Sequence, residues 1–398
     1  MKKLLYTSFS GFPTPDTGGP NKVIHQLMQN IDLDKFNVSF LSKHSNFQYS
    51  KEDKKKSIQN KISFKPQLTS KLFNKSNFYR SIVTNPFYLR YHYYKASKFF
   101  SSKKEYINTF DIIHAHDPRV LLHFSNCSSK KILTIHSKGS LVTDATDYYK
   151  ESSLYNKLLK QFRAAELKAV GIANIVTFPS LAAKNLYLSQ LNLDNNPKYK
   201  VIYNGIDINF IRSINPDPAL LKRYKINDHY DIKILNIADH IRTKNIDLII
   251  NILNILKHDH KINPLLVNIG KGPETDRLTG LVKNLSLEGN VMFLGTLTNF
   301  QILSLMKCFD YFILLSQRVV FDMVILEALA SGITVIASND GGNKEIIENT
   351  KNGFLFCPNN FDDILPLLIN KVKLPQVVDL FKFDISSIMK DYYKVYEE

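Results

Sequence analysis

Short apolar runs alternate along this chain with longer stretches of helical periodicity, the pattern of parallel sheets assembled from strand–helix units. Strands are predicted at residues 3–6, 38–41, 112–115, 131–135, 175–178 and 200–203. A second series is predicted at 232–237, 265–269, 291–294, 311–315, 334–337 and 353–356. Their continuous rather than alternating apolar character suits strands buried on both faces. Six strands per half are enough for two doubly wound α/β domains. The pattern breaks between Asn204 and Asp231, where Asn204-Gly205 and Asn215-Pro216-Asp217-Pro218 are turn and breaker sequences. The expected division is therefore an N-terminal domain over 1–205 and a C-terminal one over 206–384. An amphipathic helix over 385–398 is expected to pack back on the first domain.

Composition narrows the class. The 398 residues are 44 % hydrophobic and 22 % charged, which excludes disordered and fibrous chains. Three separated cysteines, Cys127, Cys308 and Cys357, offer neither a disulfide framework nor zinc spacing. The opening Met-Lys-Lys-Leu-Leu-Tyr reaches Ser10-Gly11-Phe12-Pro13 too soon for a signal peptide. No apolar run approaches the ~20 residues that span a bilayer. The expectation is a reduced cytoplasmic protein, peripheral on the inner face of the membrane if it meets one.

The net charge of +16 calls for a polyanionic neighbour: nucleic acid, an anionic membrane surface or phosphorylated substrates. It is concentrated in one place. Residues 43–105 hold fifteen Lys and Arg against three acids, a surplus of twelve, together with thirteen of the 46 aromatics. No nucleic-acid reading module accompanies them, so nucleic acid is not expected as a partner. Basic residues interleaved with aromatics suit an anionic membrane surface, and a solvated basic face over an aromatic core is the plain alternative.

Candidate chemistry gathers at the ends of the predicted strands, where parallel sheets present ligand sites. The first strand leads to Gly11 and then to Gly18-Gly19-Pro20 before a helix, a turn that brings backbone N–H groups and the helix dipole towards an anion. A plain strand-to-helix turn would look the same, and no G-x-G-x-x-G or Walker lysine pattern occurs. His114 and His116 end the 112–115 strand on one face, and His136 ends the next strand. His116, nearer the edge, is the better candidate of the first pair. After the 232–237 strand come Arg242 and Lys244, a fork donor and a point charge suited to a diphosphate. Gly270 and Gly272 follow the next strand. Glu327 stands in an otherwise apolar helix, where a carboxylate needs a partner: a ligand hydroxyl pair or a local donor. The Asp32-Leu33-Asp34 pair precedes the second strand in a turn, which is not the context of a metal site.

Taken in order, Gly18-Gly19, D-I-I-H-A-H-D-P at 111–118, V-I-Y-N-G-I-D at 201–207, K-N at 244–245, G-K-G-P-E at 270–274, N-V-M-F-L-G at 290–295, L-E-A-L-A-S-G at 326–332 and G-G-N-K-E at 341–345 resemble the GT-B glycosyltransferases. The chain is most similar to family 4, the retaining glycosyl transferases group 1. The resemblance spans nearly the whole chain. It implies two Rossmann-like domains facing across a cleft, a nucleoside-diphosphate sugar held mostly by the second, and an acceptor on the first. It further implies that Lys244 meets the donor diphosphate, Glu327 the ribose hydroxyls and Gly19 the donor, with His116 near the transferred sugar. The base would lie near Phe293 and Leu294, and His136 would line the acceptor side.

Two positions depart from the family pattern. The first glutamate of E-x(7)-E is Val319, and its Glu-Gly-Phe-Gly run reads Val319-Val320-Phe321-Asp322. Asp322 is the carboxylate available to replace it. Ala238-Asp239 stands where the family has Gly-Arg, with Arg242 the cation able to substitute. By resemblance the expected activity is hexosyl transfer with retention and without metal or other cofactor, onto a lipid-linked or cell-surface glycan precursor. Lys244, Arg242 and backbone amides near Gly19 and Phe321 would stabilise the leaving diphosphate. A catalytically silent partner subunit and a GT-B epimerase are the alternative readings left by Val319 and Asp239.

Overall fold

The computed structural model describes residues 1–9, 11–16, 19–58, 86–141, 153–227, 229–357 and 363–398. Gly18 and residues 59–85 of the basic aromatic segment lie outside them. The chain divides into two compact units, Met1–Gly205 with Ile385–Glu398, and Ile206–Asp384.

The first unit is built on a seven-stranded sheet of order β3-β2-β1-β4-β5-β6-β7. Its strands are β1 Lys2–Thr7, β2 Phe36–Ser42, β3 Ser45–Tyr49, β4 Ile112–Ala115, β5 Lys130–Thr134, β6 Ile175–Phe178 and β7 Tyr199–Val201. All pairs are parallel except β2 with β3, an antiparallel edge hairpin in which Phe40 faces Phe47. β3 corrects the sequence reading of six strands. Its residues alternate between polar and aromatic beside a run of lysines, so no apolar run marks it; the neighbouring β2 edge supplies its hydrogen bonds. The central residues Leu5, Ile113, Leu133 and Val176 are fully buried, because helices cover both sheet faces, as a parallel sheet requires.

The helix Ile385–Glu397 completes this unit. Ile385, Ile388, Met389, Tyr392, Val395 and Tyr396 form its buried stripe at helical spacing, against the helix Pro20–Asn30 and the sheet. Tyr393 stacks on Phe36 with centroids 5.9 Å apart, and its hydroxyl accepts a hydrogen bond from the Asp32 N–H at 2.8 Å. Asp34 pairs with Lys51, and Asp32 accepts from the Asp34 N–H, so both acids serve local structure.

The second unit has a six-stranded, wholly parallel sheet of order β10-β9-β8-β11-β12-β13. The strands are β8 Ile232–Ile237, β9 Pro264–Ile269, β10 Val291–Phe293, β11 Tyr311–Leu314, β12 Thr334–Ser338 and β13 Phe354–Phe356. The strand order reverses between β8 and β11, the topological switch point at which open α/β sheets hold ligands. The corresponding point of the first sheet lies between β1 and β4. Among the described residues no helix is long and apolar enough to cross a membrane.

Candidate functional site

In the second unit, the loop after β8 ends in a short turn, Arg242–Lys244, that sets Lys244 beside the end of β11. The Lys244 Nζ donates to Ser316 Oγ at 3.1 Å and to Asp322 Oδ1 at 3.3 Å. Its third N–H has no hydrogen bond to the described residues. Asn245, in the left-handed conformation that links this turn to the next helix, donates its side-chain amide to the Leu315 carbonyl. The lysine loop is thereby tied to the strand end from which Ser316 comes.

Arg242 turns elsewhere: its side chain is 82 % exposed and its Nε lies 3.6 Å from Glu274, whose carboxylate also receives Arg277. Asp239 is exposed at the tip of the same loop. The protein around its carboxyl pushes its pKa up, against the pull of Lys244 and His240.

Glycines allow these loops to touch. A Cβ on Gly270 would stand 2.0 Å from the Ala238 carbonyl oxygen, and one on Gly272 2.4 Å from that of His240. These glycines therefore serve close loop packing before any ligand is considered. Gly341, at φ +50°, and Gly342 play the same part against Val319 and Val320, whose carbonyl oxygens their Cβ atoms would meet at 2.0 and 2.4 Å. Val319 itself donates its N–H to Asp340.

Glu327 is buried on the helix Met323–Ser331, and Asn299 Nδ2 donates to its Oε1 at 3.4 Å. Phe321 is buried, its ring 6.0 Å from Phe383, so its side chain supports the loop from beneath. Phe293 ends β10 and meets His240 edge-on at 5.1 Å, while Leu294 donates its N–H to the Asn268 carbonyl.

His240 and Asn343 are organising residues that the sequence reading did not single out. His240 Nε2 donates to Asn268 Oδ1 at 2.5 Å, and its Nδ1 meets Thr275 Oγ1 at 2.7 Å. Asn268 in turn donates to Asn236, and Asn236 to the Ile313 carbonyl, so a buried polar chain crosses β9, β8 and β11. Burial lowers the His240 pKa, partly opposed by its bond to Asn268. Asn343 is fully buried and holds Asp322. For His240 the available signal was Asn236 and Asn268, polar residues embedded in apolar strands, since each must find a partner.

In the first unit, Gly19 caps the helix Pro20–Asn30 at φ +64°, with open space where a Cβ would be. His114 and His116 stack with centroids 4.3 Å apart, yet their roles differ. His114 is spent on structure: Tyr396 OH meets Nδ1 at 2.9 Å and Thr134 Oγ1 meets Nε2 at 2.7 Å. Burial holds its pKa down to about 3. His116 Nδ1 lies 2.9 Å from Nε2 of the half-buried His136, and its own Nε2 is buried with no hydrogen-bond partner among the described residues. Burial also lowers the His136 pKa, to about 4. Two neutral imidazoles thus share one N–H···N bond. The structure brings His116 and His136 together within this unit, and Lys244, Ser316 and Asp322 within the other.

Comparisons with known proteins follow the same division. The family described as Glycosyltransferase Family 4 matches residues 17–210, and that described as Glycosyl transferases group 1 matches 221–375. An uncharacterised glycosyltransferase of Methanocaldococcus jannaschii is 29 % identical over 263 residues, 65 % of each chain. The N-acetyl-alpha-D-glucosaminyl L-malate synthase of Bacillus anthracis is 31 % identical over 162 residues, 40 % of each. The matched stretches thus span less than two thirds of the length of these curated relatives. Among solved structures, Anabaena HepE in complex with UDP shares the fold over all of both chains, with a TM-score of 0.67 at 19 % identity. With one family matching the first unit, the other the second, and the fold shared end to end, the chain belongs to the GT-B glycosyltransferases of family 4.

Proposed function

We propose that the protein transfers a sugar from a nucleoside-diphosphate sugar to an acceptor, with retention and without a metal ion. The observation that carries this reading is the Lys244 ammonium at the switch point of the second sheet, oriented by Ser316 and Asp322 with one N–H left over. A phosphate oxygen of a departing diphosphate is the ligand that such a group suits. Lys244 would stabilise charge as the glycosidic bond breaks, with exposed Arg242 a second cation available to swing from Glu274. Glu327 would accept the ribose hydroxyls, and the base would lie by Phe293 and Leu294. Gly19 and His116, whose Nε2 meets no partner among the described residues, would face the sugar, and His136 the acceptor. The retained configuration would follow front-face attack, in which the acceptor hydroxyl bonds to the anomeric carbon on the side the diphosphate leaves and passes its proton to a departing phosphate oxygen. UDP is the first donor nucleotide to try, because HepE is solved with it.

For the acceptor we propose a lipid-linked or cell-surface glycan precursor, reached from an anionic membrane on the cytoplasmic side. In support, the helix Pro86–Ser102 exposes Tyr91, Tyr94, Lys95 and Lys98, aromatics and cations of the kind that settle at lipid headgroups.

The purified chain, incubated with a panel of UDP-, GDP-, ADP- and dTDP-sugars plus lipid-linked acceptors, with and without EDTA, is expected to release nucleoside diphosphate. Release should require acceptor, and EDTA should not reduce it. Binding without turnover would favour a silent partner subunit, acceptor-independent product an epimerase, and no binding of any donor would overturn the reading.

A further inference from the structure

Several helices in this chain begin at an aspartate, and most of those carboxylates cap their own helix. Asp117 accepts from the Arg119 N–H at 2.8 Å, Asp207 from Phe210 at 2.9 Å and Asp217 from Ala219 at 2.9 Å. Asp322 occupies the same place before the helix Met323–Ser331, and its carboxylate makes no such bond. A capping aspartate ordinarily stabilises its helix through that bond, so this carboxylate is turned to another use.

Its two oxygens go to two different residues. Oδ1 receives Lys244 Nζ at 3.3 Å, and Oδ2 receives Asn343 Nδ2 at 3.1 Å. Asn343 Oδ1 accepts the backbone N–H of Asp322 at 3.3 Å, so one carboxamide grips both the main chain and the side chain of residue 322. Asn343 also donates towards Ser338 Oγ at 3.4 Å and is fully buried on the helix Gly341–Thr350. That helix is itself pressed onto the 319–321 loop by Gly341 and Gly342. The carboxylate thus cannot turn about its own axis without breaking its bond to Lys244 or to Asn343. With Ser316 holding a second proton of Lys244, the direction of the third is determined.

We propose that Asn343 is a positioning residue for the donor diphosphate. Acting through Asp322, it orients the Lys244 ammonium so that the N–H used by neither Ser316 nor Asp322 faces the phosphate oxygens. The inference rests on the reading that Lys244 meets a nucleoside diphosphate, and it assigns Asp322 to the lysine rather than to the sugar.

The test is calorimetric titration of the full chain with UDP, GDP, ADP and dTDP, then with whichever binds, between pH 5 and 8. Asn343→Leu is expected to weaken binding roughly ten-fold, the scale of one charge-assisted hydrogen bond. Added to Asp322→Ala, it should weaken binding no further, because the relay is already cut. Asn343→Asp supplies the discriminating readout. Two facing carboxylates raise one another's affinity for a proton, with Lys244 and the nearby Asp340 the other charges around them. At pH 8 the variant should bind as poorly as Asn343→Leu. As the pH falls, one carboxyl takes up a proton, becomes a donor again, and the affinity should return towards wild type. Nucleotide phosphates titrate in the same range, so each affinity is divided by that of wild type at the same pH. If Asn343→Leu fails to fold, Asn343→Asp decides alone. Binding equal to wild type at every pH in both variants would overturn the inference, as would a further ten-fold loss when Asn343→Leu is added to Asp322→Ala. A wild-type chain that binds no nucleoside diphosphate would instead overturn the donor reading beneath it.

Discussion

The ammonium of Lys244 lies 3.3 Å from Oδ1 of Asp322, 78 residues away in the sequence. The cation is oriented before any ligand arrives, and its binding function can be separated from its structural one. Lys244→Ala is expected to weaken nucleoside diphosphate binding ten- to hundred-fold, corresponding to about 1.5–3 kcal/mol for a charged contact. Lys244→Arg should recover part of that, because it keeps the charge but not the point geometry. Calorimetric titration checks both, and wild-type affinity in the alanine variant would refute the assignment.

Glu327 bears on the nucleoside. If its carboxylate accepts both ribose hydroxyls, wild type should prefer UDP to 2′-deoxy-UDP, and Glu327→Ala should bind the two alike. The comparison of the two dissociation constants in each protein reads this directly. A preference that survives the substitution would remove Glu327 from the ribose.

Glycine substitutions separate loop packing from helix propensity. Gly341→Ala would drive its Cβ to 2.0 Å from the Val319 carbonyl at φ +50°, so it should destabilise the second unit by at least about 1–3 kcal/mol. Gly280→Ala, within the helix Thr275–Asn284 and with open space around it, should stabilise by roughly 0.5–1 kcal/mol. Thermal unfolding of the two variants should shift in opposite directions.

Tyr396 ties the C-terminal helix to the first sheet, its hydroxyl 2.9 Å from both Tyr6 OH and His114 Nδ1. Tyr396→Phe leaves two buried polar groups short of a partner and should cost about 1–3 kcal/mol. Urea unfolding of the first unit measures this; an unchanged midpoint would contradict it.

The neutral histidines make the first unit sensitive to acid. His114 and His136 have folded pKa values near 3 and 4, below the ordinary 6.5 of an unfolded histidine. Between about pH 6.5 and 4 the unfolded chain therefore binds protons that the folded one refuses, and stability falls as the pH falls. Unfolding midpoints measured at pH 7, 6, 5 and 4 should decline steadily. His136→Gln should flatten part of that decline.

Much of the architecture was legible because local sequence carries it. Runs such as Ile234-Leu235 and Phe312-Ile313 sit at the centre of a sheet covered on both faces, and only uninterrupted apolar residues tolerate that. The hairpin strand Ser45–Tyr49 was not legible, since an exposed edge strand needs no apolar run and takes its order from the neighbour it pairs with. Of the candidate site, the glycines and Lys244 could be picked out by residue type. The purpose of Gly270 and Gly341 as points of loop contact depends on carbonyls far away in the chain.

The two-sheet α/β class, the family and the positions of charged and glycine residues at strand ends can be read along the chain, because hydrophobic period and turn chemistry are local. Which polar groups remain available depends on contacts between distant segments. His114 and His116 share one strand face, yet Tyr396, 282 residues from His114, consumes the first, while Nε2 of the second meets no partner among the described residues. Lys244, Asp322 and Asn343 likewise acquire their relation from two loops and a helix that are far apart in the sequence. A buried hydrogen bond joins whatever folding brings within about 3 Å, and separation along the chain says nothing of it.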